Sequence, residues 1–475
     1  MSSEKQAAEE GKIEFAESAV SLSSFVVDPD EERRLVRRLD WRILPITCLL
    51  YLFAYLDRSN LGNARLQGLP KDALGGDPTG KRFDWVNSIF FFSYILCQVP
   101  STIISKLFPP RIWLACVAIG WGISSTLLAS GPSTAFNFAG LITGRVFLGV
   151  FESGFGPVIP LYFSFFYTKA EMGMRMAYWF GFAAVAGAFG GVLAFGVQHA
   201  HASIHNWRIL FIIEGLPAVV MGLVALFFLP NRPESTTFFN ERERAIALER
   251  MSRGTSGDSG IKIQKAHIFM AFRDWRASIY AGGAIYFGLN CALASISAFL
   301  PTILATFGYT NANAQLLTGE CFSRGIFMFT ASLISGIGYV LLLTVTSNVH
   351  VRYFAVFCIV SGTYTTIGIT IAWFAHNLGS ETKRATGIPM FMGIGQCGSV
   401  LGSHIFPLTE GPRYIKGFGI SCALAFLAAA LSLVLSISYR MENARRDKLY
   451  GKPKPDSRVD TSELADKAND FRYIH

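Results

Sequence analysis

Apolar residues run along this chain in blocks of about twenty, each long enough to cross a bilayer. The blocks predict spans over 43–62, 85–106, 112–130, 136–166, 176–197 and 209–229. A polar stretch follows over 230–276, and further spans are predicted over 278–305, 325–346, 352–375, 385–407 and 417–438. This divides the chain into a polar tail (1–40), a six-helix bundle (41–229), a central loop (230–276), a second bundle with five spans (277–438) and a basic tail (439–475). Residues 1–32 are polar and acidic with no apolar signal core, so they read as a disordered cytoplasmic tail, and the first apolar block reads as an uncleaved membrane signal. In the central loop, "ESTTFFNERERAIALERM" predicts a capped amphipathic helix lying along the membrane surface.

Composition supports an all-α polytopic membrane protein. Only 16% of residues are charged, against roughly a quarter in soluble proteins. The net charge of +9 raises nucleic acid as a partner, but the basic residues sit beside the apolar blocks, where they read as topology signals. The eight cysteines have no metal-site or CxxC spacing and read as small buried hydrophobes. His199, His201 and His205 share a short loop without Cys or carboxylate company, so they read as exposed polar residues. With no phosphate-binding loop, ATP-driven transport has no support. A membrane-embedded enzyme has no constellation to use, and no cofactor is expected.

Charge near the spans sets orientation. Arg33, Arg34, Arg37, Arg38 and Arg42 precede the first span and place the N-terminus inside, and six spans return the basic central loop to the same side. Five further spans would then leave the C-terminus outside, although the tail carries Arg440, Arg445, Arg446, Lys448, Lys452, Lys454 and Arg458. A span between 305 and 325 would remove the conflict. However, "TFGYTNANAQLLTGECFSRG" is too polar and too short to supply one.

Ionisable groups inside spans are costly and mark functional sites. Asp57 and Arg58 end the apolar run of the first span, and Arg145 and Glu152 lie seven residues apart in "GRVFLGVFESGFGP". Two helical turns put the latter pair on one face about 10.5 Å apart along the axis, too far to pair directly but suited to a shared cavity. An Arg in such a cavity binds carboxylate, while a neighbouring carboxyl is drawn towards protonation by burial and towards ionisation by the Arg. That balance can couple a proton to an anion; the alternative is a static ion-pair brace between helices. Glu214 in "WRILFIIEGLP" reads as a scaffold group pairing with a neighbouring helix. Asn377 and Gln396 can hydrogen-bond a substrate or another helix. Lys383 and Arg384 read as loop charges.

The stretches "YLDRSNLGNA", "GRVFLGVFESGFGPVIPLYFSFFY", "WRILFIIEGLP", "LPTILATFGYTNANAQLLT" and "AWFAHNLGSETKRA", in this order, make the chain resemble the major facilitator superfamily. The resemblance is to its anion:cation symporter group and the fungal allantoate permease-like branch. It implies two six-helix bundles, alternating access and proton-coupled uptake of a small organic anion such as nicotinate, allantoate, pantothenate or biotin, by a monomer in the plasma membrane. It implies that Asp57 and Glu152 take part in proton coupling, and Arg58 and Arg145 in anion binding or gating. Substrate contacts are expected from Asn377 and Gln396, the latter standing where the family pattern has Asn. The basic loop between helices two and three is reduced to "KLFPPR". After "LLT" the family continues with helix eight and a cytoplasmic loop, whereas "LLTGECFSRGIFMF" leads almost directly into helix nine. The expectation is a bundle short of one helix, which inserts poorly or does not transport.

Overall fold

The computed structural model describes residues 28–475 except 79, 130–136, 201–202, 253–264, 275–280, 306–323, 346–347, 407–412, 454–458, 460 and 462–463. Among the described residues there are eleven long helices: α1 (Pro29–Leu66), α2 (Lys81–Ser105), α3 (Pro110–Leu128), α4 (Phe138–Glu152), α5 (Lys169–Gln198), α6 (Asn206–Phe228), α7 (Ala281–Ala305), α8 (Arg324–Thr344), α9 (Val349–Asn377), α10 (Glu381–Gly402) and α11 (Ile415–Tyr450). Eight are long and apolar enough to cross a membrane, and α4, α7 and α10 complete the array by position.

Local chemistry sets the helix ends. Asp28 caps α1 by accepting from the Asp30 N–H, Pro29 occupies the first turn, and three acids follow on the positive end of the helix dipole. α1 has 38 residues. At that length it rises about 57 Å, well beyond a hydrocarbon core of about 30 Å, and so extends past the membrane at its N-terminal end. The end that also carries the central loop is the one that the basic residues beside the spans assign to the inside, and is termed the inner end. There Glu31, Glu32, Arg38 and Asp40 of α1 pair with Arg242, Arg250, Glu243 and Arg175. The loop helix runs over Glu241–Ser252 and is capped reciprocally by Asn240 and Glu243. Its Ile246, Ala247 and Arg250 are buried against protein, so the face expected to lie on the membrane serves this docking instead.

The apolar run 136–166, expected as one span, is two pieces. α4 stops at Glu152, turns through Ser153–Pro157, and resumes as a short helix over Val158–Phe163. Pro157 lacks an N–H, and Gly154 and Gly156 lie against Val117 and the Tyr94 hydroxyl, where a Cβ would not fit. Irregular backbone is tolerated at membrane depth only inside protein. Residues 152–160 are all buried, and the Trp113 indole N–H donates to the Gly154 carbonyl at 2.8 Å.

The packing repeats. In the first half, α1 packs on α5 and α6, α3 on α4 and α6, and α2 on α4. In the second half, α7 packs on α10 and α11, and α8 on α9 and α11. Mapping α1, α3, α4, α5 and α6 onto α7 to α11 reproduces the α1–α5, α1–α6, α3–α4 and α3–α6 pairings, while α2 has no counterpart among the described residues. The halves meet along α2 and α10 on one side and α5 and α9 on the other.

The repeat also resolves the orientation conflict. α7 runs parallel to α10, with Gly283 facing Ile394 and Phe287 facing Gly398, so α7 ends at the outer face. α8 begins at the inner face, with Gly325 against Trp373 and Ser436. The segment expected to lack a span, 306–323, joins these opposite ends and lies outside the described residues. The C-terminal tail consequently returns to the inner end. There Arg446 of α11 donates to the carbonyls of Asp466, Ala468 and Phe471. The Asn443 amide holds the Tyr473 backbone in both directions, and Lys383 bridges Asp274 and Asp466 at 2.5 Å each.

Candidate functional site

Five ionisable side chains gather in the interior of the first bundle. Arg58 on α1 reaches Glu152 on α4 with its Nε and Nη2, both 2.5 Å from Oε1. Its guanidinium lies over the rings of Phe90 and Tyr94 on α2, 5.3 and 4.8 Å from their centroids. Gly149 allows this approach, since a Cβ there would strike Ser93 and the Phe90 carbonyl of α2. Asp57, one residue earlier and about 100° around the helix, faces away from Arg58's partner. Its Oδ1 accepts from the Ser125 hydroxyl of α3 at 2.5 Å. Arg145 on α4 donates to the Asp57 carbonyl at 3.4 Å and lies 5.9 Å from the Phe211 ring of α6. Glu214 follows one turn later on α6.

Burial separates their tasks. Asp57, Arg145, Glu152 and Glu214 are at most 2% exposed, whereas the Arg58 side chain keeps 21% exposure. Of the five, Arg58 is the one that keeps accessible surface. Tyr51 and Tyr94 in the first half and Tyr286 in the second lie close enough to interact with it electrostatically. The hydroxyls of Tyr55 and Tyr364 meet across the bundles at 2.8 Å. A cation surrounded by aromatic rings from both halves is suited to a small, partly apolar anion.

Expected site residues are thus brought together in part. Asp57, Arg58, Arg145 and Glu152 form one cluster. Glu214 joins it, but without the partner its scaffold reading expected, because neither carboxyl oxygen makes a hydrogen bond. Asn377 lies elsewhere, at the inner end of α9, with its amide holding the Ile474 backbone at 2.9 and 2.8 Å. Gln396 lies in α10 and accepts from Ser399 at 3.0 Å. Sequence reasoning missed Gln98 on α2, fully buried with both amide atoms unpartnered and facing Gly393 of α10 across the bundle interface. Its signal was an amide one turn after Tyr94 within an apolar run.

The inner ends of the two halves are latched. Glu381 at the start of α10 accepts Arg232 at 3.0 Å and Lys106 at 3.5 Å, and Lys106 also donates to Thr382 at 2.9 Å. Lys383 and Arg384, expected as loop charges, belong to this buried inner layer. At the outer end, His199 is exposed, His205 lies 3.5 Å from Asp72, and His201 is outside the described residues. No group of three metal-ligating residues occurs among the described residues.

Two repeated helical bundles around a buried charge cluster, latched at one end, define a multi-pass membrane transporter rather than an enzyme. Residues 47–348 match the family model of the Major Facilitator Superfamily, and the chain belongs to that family. It is 32% identical to the major facilitator-type transporter hxnP of Emericella nidulans, covering 94% of each chain. It is 30% identical to the high-affinity nicotinic acid transporter of Saccharomyces cerevisiae, over 94% of this chain and 85% of that one. The fold is shared with the proton:xylose symporter XylE, at a TM-score of 0.63 and 13% identity over 91% of this chain and 98% of that one. It is also shared with the human organic anion transporter MFSD10, at 0.57 and 13% over 84% and 99%.

Proposed function

We propose that the protein is a proton-coupled symporter of a small organic carboxylate, of the anion:cation symporter type, acting as a monomer in the plasma membrane. The observation that carries this reading is the Arg58–Glu152 pair, a reachable guanidinium whose present partner is a buried carboxylate. An incoming carboxylate competes with Glu152 for Arg58. Glu152, left without its cation in a low-dielectric interior, holds its charge poorly, and a proton restores neutrality. Anion and proton therefore load together. Opening of the Lys106–Arg232–Glu381 latch then exposes the site to the inner side, as alternating access requires. The relative named as a nicotinic acid transporter makes an aromatic carboxylate the first substrate to try.

The test is uptake of labelled small carboxylates, nicotinate first, into cells or proteoliposomes with an imposed inward proton gradient. Uptake should collapse with a protonophore, and Glu152→Gln should leave residual uptake indifferent to the gradient. Uptake that ignores the protonophore in the unaltered protein would sink the coupling.

A second reading, a shortened protein that does not transport, is favoured by α2 having no counterpart among the described residues. Under it the chain reaches the membrane yet takes up no carboxylate. Supplying a further span after Thr318 would then restore uptake.

A further inference from the structure

The interior of the first bundle holds three carboxyl groups, Asp57, Glu152 and Glu214, against two guanidinium groups, Arg58 and Arg145. Arg58 is committed to Glu152. Arg145 has Asp57, Glu152 and Glu214 as electrostatic neighbours; with Glu152 held by Arg58, it is left to serve Asp57 and Glu214, which also act on each other. One guanidinium cannot neutralise two carboxylates, and an ionised carboxylate buried without hydrogen bonds is among the costliest states a protein can hold.

The two acids are not equally served. Asp57 accepts from Ser125 at 2.5 Å, and Arg145 is anchored to the Asp57 backbone. Glu214 is 0% exposed with neither oxygen partnered. It is held at this depth by close packing of α6 on α3, where Gly215 lies against Gly122 and Thr126, beside Ser125. Arg145 keeps an unpartnered Nη2 and sits over Phe211, one turn from Glu214 on the same helix.

We propose that Glu214 is a proton-holding site: it carries the proton while Asp57 is ionised, and becomes the counter-charge of Arg145 when Asp57 is protonated. One proton and one guanidinium are thus shared between two carboxyls.

The other ionisable groups on helices packed against α6 leave the count unchanged. On α1, Asp40 pairs with Arg175, Arg42 donates to the Phe228 carbonyl, Arg65 lies over Phe83, and Tyr51 and Tyr55 surround Arg58. Cys48 of α1 is a buried thiol, and Cys116 of α3 is exposed. Arg111 opens α3 at the inner end, where Glu171, Arg175 and Tyr178 of α5 also lie. On α6 itself, Arg208 pairs with Asp72 at the outer end.

This assignment deepens the proton-coupled reading, and its consequence for coupling rests on that reading, but the protonation itself does not. It is read by infrared spectroscopy of the full-length protein in lipid at neutral pH. A protonated-carboxyl C=O band should be present and should vanish both in Glu214→Gln and in Asp57→Asn, where Glu214 ionises against Arg145. A band that survives Glu214→Gln overturns the proposal. Folded yield provides a second measurement. Each single variant leaves Arg145 one counter-charge and should retain most of the folded protein, whereas the double variant Asp57→Asn/Glu214→Gln should lose most of it. Additive losses, or collapse of Glu214→Gln alone, overturn the proposal. Protonophore-insensitive uptake with the infrared pattern intact would remove the transport reading and leave the protonation standing.

Discussion

At the residue scale, the decisive contact is Arg58 with Glu152, two side chains 94 positions apart in sequence. A buried ion pair contributes little net stability against an apolar replacement, but breaking it by removing one partner is costly. Glu152 is 1% exposed, so Arg58→Ala leaves an uncompensated buried carboxylate, at a cost of about 3–5 kcal/mol. The melting midpoint of the purified protein should fall accordingly, and adding Glu152→Gln to the same chain should recover most of the loss. A static brace and a transport site both make this stability prediction. Only the transport site loses carboxylate affinity in the doubly substituted, restabilised protein. Asp57, Arg58, Arg145 and Glu152 were legible in sequence as candidates, because ionisable groups in apolar runs are rare. The role of Glu214 was not, because an acid with no hydrogen-bond partner looks the same in sequence as one that braces a helix.

At the scale of elements, the inner end of α10 joins the two halves. It carries the latch, where one carboxylate, Glu381, holds Arg232 and Lys106 from the other half. Glu381→Ala should therefore speed labelling of Cys97 on α2 by a thiol reagent applied from the inner side, with little change in melting. An unaltered labelling rate would remove Glu381 as a latch. The tail docked beneath α9–α11 is held partly by Asp466. Burial, which outweighs the attraction of Lys383, keeps the Asp466 carboxyl above its ordinary range, and Asp274 adds to that. A docked group that binds its proton more tightly than the free one favours docking as pH falls, and the gain disappears as pH rises through the docked value. Proteolytic removal of the tail should thus slow towards mildly acidic pH, and Asp466→Asn should flatten the dependence. The break after Glu152 illustrates why such features were hidden. Apart from Arg145 and Glu152 the run 136–166 is largely apolar, and the packing of Gly154 and Gly156 against α3 and α2 shows why it does not continue as one helix.

At the scale of the whole molecule, the repeat explains both the number of helices and the side on which the chain ends. Among the described residues, five of the six first-half helices have counterparts, and the ends of α7 and α8 that 306–323 connects lie on opposite faces. The C-terminal tail should therefore share a side with the central loop. Impermeant labelling of an epitope after His475 should match that of one placed at residue 258, and opposite accessibilities would refute the arrangement.

The sequence by itself determined the membrane class, the all-helical fold and four members of the charge cluster. Each of these follows from local quantities: apolar length against bilayer thickness, charge beside a span, and the cost of an ionisable group inside one. Tertiary structure alone decided which charge meets which, that Glu214 is left without a partner, that Asn377 serves the tail rather than the cluster, and that the tail returns to the inner end. Those outcomes depend on contacts between helices distant in sequence, where a rotation of a single residue about the axis turns a side chain by about 100° and gives it a different partner.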